Sequence, residues 1–306
     1  MSALERLVGR SDEAEGAKWE GDGSETTVER LARAYREEGI ERTAKRAIEK
    51  GALQRLRDAN PELYWRIAPA FHRHVYTRDV DAYDASPDPF KIERVDPARI
   101  TRSSVREYHA WEGKVRLFGA VEDGDWDRPR PDHRGIEAAP NPSWGEDMLF
   151  ENKGTYRMFE QRFVHGADWE EIDLIQQRLE EASEGIESWQ GCSSPEEIRE
   201  QCRFLDELYE EFRTDGFSSQ RELHERDRQR YEGFLDRMGQ EVLVDVGRTG
   251  ELLHVAGDHR LSMAKLLDLD EVPVAFLVRH AGWMEYRDRL YENGTVPNHP
   301  DLRDLQ

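Results

Sequence analysis

Four consecutive residues, Gly257, Asp258, His259 and Arg260, set a flexible backbone, a carboxylate, an imidazole and a guanidinium side by side. They stand where a β-forming run, "ELLHVA", gives way to an apolar-periodic helical run, "DHRLSMAKLL". The first turn of a helix carries backbone N–H groups without intrahelical partners and the positive end of the peptide dipoles, so it attracts an anion. Glycine lets the backbone come close to a ligand. Arg260 adds a planar fork suited to phosphate or carboxylate, and His259 can donate to the same anion or move a proton. Asp258 cannot hold a bare phosphate, so its roles there are helix cap, Mg²⁺ ligand or base. The plainer alternative makes Asp258 a cap and Arg260 its surface salt-bridge partner.

Other residues could join this chemistry. The stretch "EDGDWD" offers Asp123, Asp125 and Asp127 as metal ligands or bases, with Asp125 and Asp127 the pair set beside Asp258 for Mg²⁺. Its alternative is an acidic surface turn anchored by Trp126. Arg279 and His280 end the last β-forming run and could complete a phosphate site if that strand stops beside Gly257. His254, three residues before Gly257, reads as structural. His72 and His74 have no third ligand at diagnostic spacing.

The elements that must hold these residues follow from periodicity. "EVLVDV", "GRTG" and "ELLHVA" read as a β-hairpin, followed by a helix over 258–267 and a strand, "VPVAFLV". Trp283, Arg287 and Leu290 then recur at helical spacing. Upstream, Phe90, Ile92 and Val95 predict a strand with a turn at Asp96-Pro97, and a second strand is expected up to Val121. Between the β regions, 168–238 is helical. "SSPEEIREQCRFLDELYEEF" carries an N-cap at Ser194, Pro195 at N1 and Glu197 at N3. Ile198, Cys202, Leu205, Tyr209 and Phe212 form its apolar stripe. Ser219 and Glu222 cap the next helix. Short helices are expected from Ser24 to Gly39 and up to Gly51, after a polar, frayed start.

With 306 residues the chain can bury a sizeable core. Its 65 acidic residues against 44 basic leave a net charge of -21, and only seven of the basic residues are lysine. An acidic, lysine-poor, arginine-rich surface looks like that of a salt-adapted, halophilic protein of the cytoplasm; an acidic protein of a GC-rich genome is the plainer alternative. In ordinary salt such a charge repels nucleic acid. In molar salt the Debye length falls to about 3 Å and the repulsion fades. No basic stripe interleaved with aromatics is present, so nucleic-acid binding is unsupported rather than excluded. Nothing resembles a membrane span or a secretion signal. Cys192 and Cys202 make no metal cluster, and Cys202 reads as a buried thiol.

The run "HVAGDHRLSMAKLLDLDEVPVAFLV" resembles the signature of the ParB/sulfiredoxin superfamily. Gly257, His259, Arg260, Ala264, Leu267, Leu269, Val272, Pro273 and Val274 occupy the matching positions, and "FKIERVDPARI" looks like the family's first strand. The specific match spans about 25 residues, with weaker support over 88–121 and 241–255. The resemblance implies an α+β fold: a small mixed β-sheet core within a domain over 88–290. A large helical insertion at about 155–238, an N-terminal helical arm over 1–60 and a tail over 291–306 complete that organisation. It also implies that Gly257, His259 and Arg260 face the phosphates of ATP or CTP, with Arg279 and His280 joining them if the last strand ends beside the box. Mg²⁺ would sit on Asp258, or on Asp125 and Asp127, and Asp258 and His259 would be catalytic toward an unknown acceptor. Where sulfiredoxins carry a cysteine after the glycine, this chain has Asp258, which argues against sulfinate reduction. Only about 28 residues follow Val278, too few for the DNA-binding region of a partition clamp. A nucleotide-dependent phosphotransferase and a non-catalytic regulatory or DNA-associated module remain as readings.

Overall fold

A computed structural model describes residues 48–75, 78–106, 114–128, 148–186, 188–226 and 233–306. The chain divides into two compact units, 16–77 and a larger one built from 78 onward. In the smaller, the helix expected to stop at Gly51 continues instead. A π-turn, Ile48–Leu53, runs through that glycine into α1, Gln54–Ala59. Asn60 accepts a hydrogen bond from the Leu63 N–H and, with Pro61 in the first turn, starts α2, Pro61–His74. Tyr64, Ala68 and His72, four residues apart, form its buried stripe. The helix expected over 24–39 lies outside the described residues.

The larger unit is α+β. Its mixed sheet contains β1 (Ile92–Val95), β2 (Arg102–Ser103), β3 (Ala120–Glu122), β4 (Val242–Val246), β5 (Leu252–Ala256) and β6 (Val272–His280). The order is β1–β6–β4–β5–β2, with β3 also on β6. β1 is antiparallel to β6, β4 and β5 form the expected hairpin, and β3 and β4 run parallel to β6. Asp96 caps the turn after β1 by accepting from the Ala98 N–H at 2.8 Å. The strand expected up to Val121 is shorter than its pattern suggests. Lys114–Leu117 is a 3₁₀ turn, and Gly119 has φ of 82°. A Cβ at Gly119 would lie 2.8 Å from the Cβ of Pro89, so a close chain crossing, not β-propensity, sets that boundary.

Helices fill the stretch between β3 and β4: α3 (Gly154–Phe159), α4 (Asp173–Ser183), α5 (Pro195–Asp215), α6 (Gln220–Arg226) and α7 (Phe234–Gly239). Ser194 caps α5 through the Glu197 N–H, but the reciprocal Glu197 carboxylate reaches the Ser193 N–H at 2.7 Å. Ile198, Cys202, Leu205 and Phe212 are buried as their spacing requires, while Tyr209 is half-buried and stacks on Phe163 at 3.8 Å. Ser219 and Glu222 make a complete capping box on α6. After β5 come α8 (Asp258–Leu266) and, past β6, α9 (Ala281–Asn293).

Alternate residues of the central strands, Val242, Val244 and Val246 with Val272, Val274 and Phe276, join the core that α8 and the insertion also build. Between β4 and β6 the register shifts, and Asp245 fills the gap. Its carboxylate accepts from the Val278 N–H at 3.1 Å and from Ser104 Oγ at 2.7 Å. Within the tail over 291–306, Pro300–Leu305 forms a 3₁₀ turn. Asp301 and Leu302 are fully buried, because Asp301 is the counter-charge for two arginines that α9 and β6 bury.

Candidate functional site

The mouth of α8 is built from four elements. β5 delivers Gly257, which turns the chain with φ of 91° and ψ of 33°, a left-handed conformation that side chains resist. It also backs onto β4, so a Cβ there would lie 3.0 Å from the Val242 Cα. Leu261 makes the first helical bond, to the Gly257 carbonyl at 2.9 Å. Asp258, His259 and Arg260 thus present N–H groups with no intrahelical acceptor. Gly257→Val should cost about 1–3 kcal/mol from strain and the contact with Val242 together. A denaturant midpoint unchanged from wild type would contradict this backbone account.

Lys153, which precedes α3, donates to Asp258 Oδ1 at 2.7 Å. His254, on β5, brings its Nε2 to 3.1 Å from the same oxygen. Burial alone would raise the pKa of Asp258, but Lys153, His254 and His259 outweigh it and hold the carboxyl well below its usual range. The Phe150 ring lies under this group, 4.8 Å from the His254 ring and 5.6 Å from the Lys153 ammonium. His259 is packed beside Phe159 and Trp189, at 5.5 and 6.1 Å. Its burial pushes the imidazole down to about 4, so it is neutral at pH 7.

Arg260 turns away from this group. Its guanidinium is buried, donates to the Gln240 and Ser218 carbonyls at 3.1 and 2.6 Å, and lies 4.4 Å over the Phe217 ring. Glu241 is 3.7 Å away. Neither the phosphate-facing role expected of Arg260 nor a surface pairing with Asp258 matches this arrangement, since two carbonyls, a ring and a buried glutamate already occupy the fork.

Arg279 and His280 do not join the mouth. Gly257 packs on Val242, which pairs with Val274, whereas Val246 pairs with Arg279 at the other end of the strand. Five residues of strand separate those pairings, about 16 Å. Arg279 is fully buried and grips Asp301 with two nitrogens, at 2.6 to 3.1 Å. His280 accepts from the Gly282 N–H at 3.0 Å through Nδ1, capping α9, and so donates from Nε2 to the Gly124 carbonyl at 2.8 Å.

Asp125 and Asp127 sit at that same far end. Arg248, in the β4–β5 turn, binds Asp127 at 2.6 to 3.0 Å and Asp125 at 2.8 Å. Burial opposes ionisation of Asp127, yet its bonds to Arg248 keep its pKa lowered. Trp126 donates to the Glu122 carbonyl and packs on His280, as a loop anchor does. Among the described residues, no group of three or more His, Cys, Asp or Glu side chains is disposed to hold a metal. Asp125 and Asp127 share one guanidinium, and Asp258 is flanked by an ammonium and an imidazole. These donor sets do not fit Mg²⁺, which takes carboxylates free of competing cations.

The chain matches no family model, no curated protein and no solved structure. Its site is therefore read from its own geometry. Lys153 was not a candidate in the sequence. The scarcity of lysine was the available signal, since a chain with seven lysines keeps one of them nine-tenths buried beside Asp258. His254 drew notice only as a structural residue, because strand spacing does not reveal that it shares Asp258 with Lys153. Among the described helices none is long and apolar enough to cross a membrane. Cys192 and Cys202 are buried and not disulfide-bonded, and burial pushes the Cys202 thiol up to about 12.

Proposed function

We propose that this chain binds the phosphates of a nucleotide, ATP or CTP, at the mouth of α8, and acts as a binding module rather than a phosphotransferase. The supporting observation is the Asp258 carboxylate itself. One of its oxygens takes a hydrogen bond from Lys153 and lies against His254, at the N-terminal end of a helix. An anionic oxygen is the natural occupant of such a place, and a phosphate oxygen would replace it with the same partners. The Gly-x-His-Arg resemblance supports the same ligand class, with Lys153 and His254 in the part first given to Arg260. The salt-adapted, acidic composition fits a cytoplasmic protein that meets nucleotide in concentrated salt.

A transferase reading needs Asp258 free to act as base or metal ligand. Lys153 pairing, a neutral His259 and the distance to Asp125 and Asp127 all weigh toward binding without turnover. The test separates the two. Asp258→Asn removes the competing charge, so affinity for ATP and for inorganic triphosphate should rise about tenfold. A base or Mg²⁺ ligand at Asp258 would instead make the wild type hydrolyse or transfer phosphate, and Asp258→Asn would abolish that turnover. Calorimetric titration in molar KCl, with and without Mg²⁺, reads both outcomes. No binding by either protein would end the nucleotide reading.

A further inference from the structure

Glu241 is the buried acid that the site at α8 does not use. Only 1% of its surface is exposed, where β4 begins, behind Gly257. Its Oε1 accepts from the Gln220 N–H at 2.7 Å and the Arg221 N–H at 3.3 Å, so it caps α6 across 20 residues of sequence. Its Oε2 is fully enclosed and has no hydrogen-bond donor among the described residues. The charged groups around it are Arg260 of α8 at 3.7 Å and Arg237 of α7. An enclosed oxygen without a donor costs far less in a neutral carboxyl than in a carboxylate.

We propose that Glu241 is a proton-operated latch. With its proton bound it keeps the start of α6 closed over Arg260. When the proton leaves to solvent, the carboxylate draws water and the segment from Phe217 to Arg226 lifts away. The device stands on the Glu241 cap of α6 and on the Arg260 bond to the Ser218 carbonyl just before that helix, and it holds whether or not the α8 mouth binds phosphate. Burial, opposed by Arg260 and the two N–H groups, raises the Glu241 pKa from its ordinary 4.5 to about 7. The sign follows: its contribution to the closed state is complete below about 4.5 and is lost as the pH rises through about 7.

Hydrogen exchange at the Gln220 and Arg221 amides tests the latch. After correction for intrinsic exchange, their protection should fall about tenfold per pH unit between 5 and 7 and then level off, as release of one proton per opening requires. Glu241→Gln keeps an acceptor for both amides and should show a flat profile. A slope that survives in Glu241→Gln would assign the effect to another group and overturn the proposal. So would a flat wild-type profile. Carbon-detected NMR titration of the wild-type Glu241 carboxyl gives an answer free of any variant, with a midpoint near 7 expected and one near 4.5 contradicting the latch.

Discussion

Asp301→Ala should cost about 3–5 kcal/mol of folding stability, the largest loss expected from a single substitution in this chain. Asp301 is fully buried with Arg279 and Arg287, and the Lys91 ammonium is 3.3 Å away. Trp283 donates its indole N–H to the same carboxylate at 2.9 Å, and Arg287 also binds the Asp301 backbone carbonyl. Removing the carboxylate strands two guanidinium groups in the core: Arg287 keeps Asp304 as an acid partner, while Arg279 loses the carboxylate it grips. Burial alone would raise the Asp301 pKa, but its three cations hold it far below the usual range. Stability from this group is therefore complete above about 4 and falls away as the pH drops below that. Denaturant midpoints for wild type and Asp301→Ala at pH 7 and pH 3.5 check this, and the gap should narrow in acid. Because the cluster is fully buried, molar KCl should leave the gap largely intact. A variant as stable as wild type would mean that the C-terminal segment is not part of the fold.

The second large effect is expected from Arg260→Ala, at about 2–4 kcal/mol. The loss combines two hydrogen bonds to the Ser218 and Gln240 carbonyls, the contact over Phe217, and the cation nearest Glu241. Its pH dependence is distinctive. Glu241 is neutral well below pH 7 and needs no counter-charge there, so the penalty should grow as the pH passes about 7. Equilibrium unfolding at pH 6 and pH 8 measures it. Nucleotide affinity of the folded fraction should change less than for a Lys153 variant. A fully stable Arg260→Ala protein that has lost binding would return Arg260 to the phosphate site.

The sheet was legible in the sequence wherever local signals and tertiary packing agree. The hairpin, α8, α5 with its cap and stripe, and α6 with its box all follow from period and capping chemistry. Failures came where distant contacts decide. Gly119 ends a strand because Pro89 crosses behind it, and no local pattern records that crossing. Residues 291–306 read as a tail, yet Asp301 is drawn inward by arginines that are also invisible as buried until α9 and β6 meet. At the site, adjacency in sequence misled. Arg260 follows Asp258 by two residues, more than half a turn round the helix, and reaches the Ser218 and Gln240 carbonyls. Lys153, more than a hundred residues away, reaches Asp258 instead. Arg279 and His280 share a strand with Val274 but lie at its other end.

Lys153→Ala offers the most direct test of phosphate binding at the α8 mouth. Titrating ATP and inorganic triphosphate into wild type and the variant in molar KCl should show saturable binding by wild type. The variant should weaken both ligands at least about tenfold while its melting temperature without ligand stays within a few degrees. Equal affinity of the two proteins, or no binding by the wild type, would contradict a phosphate site where Lys153 now holds Asp258.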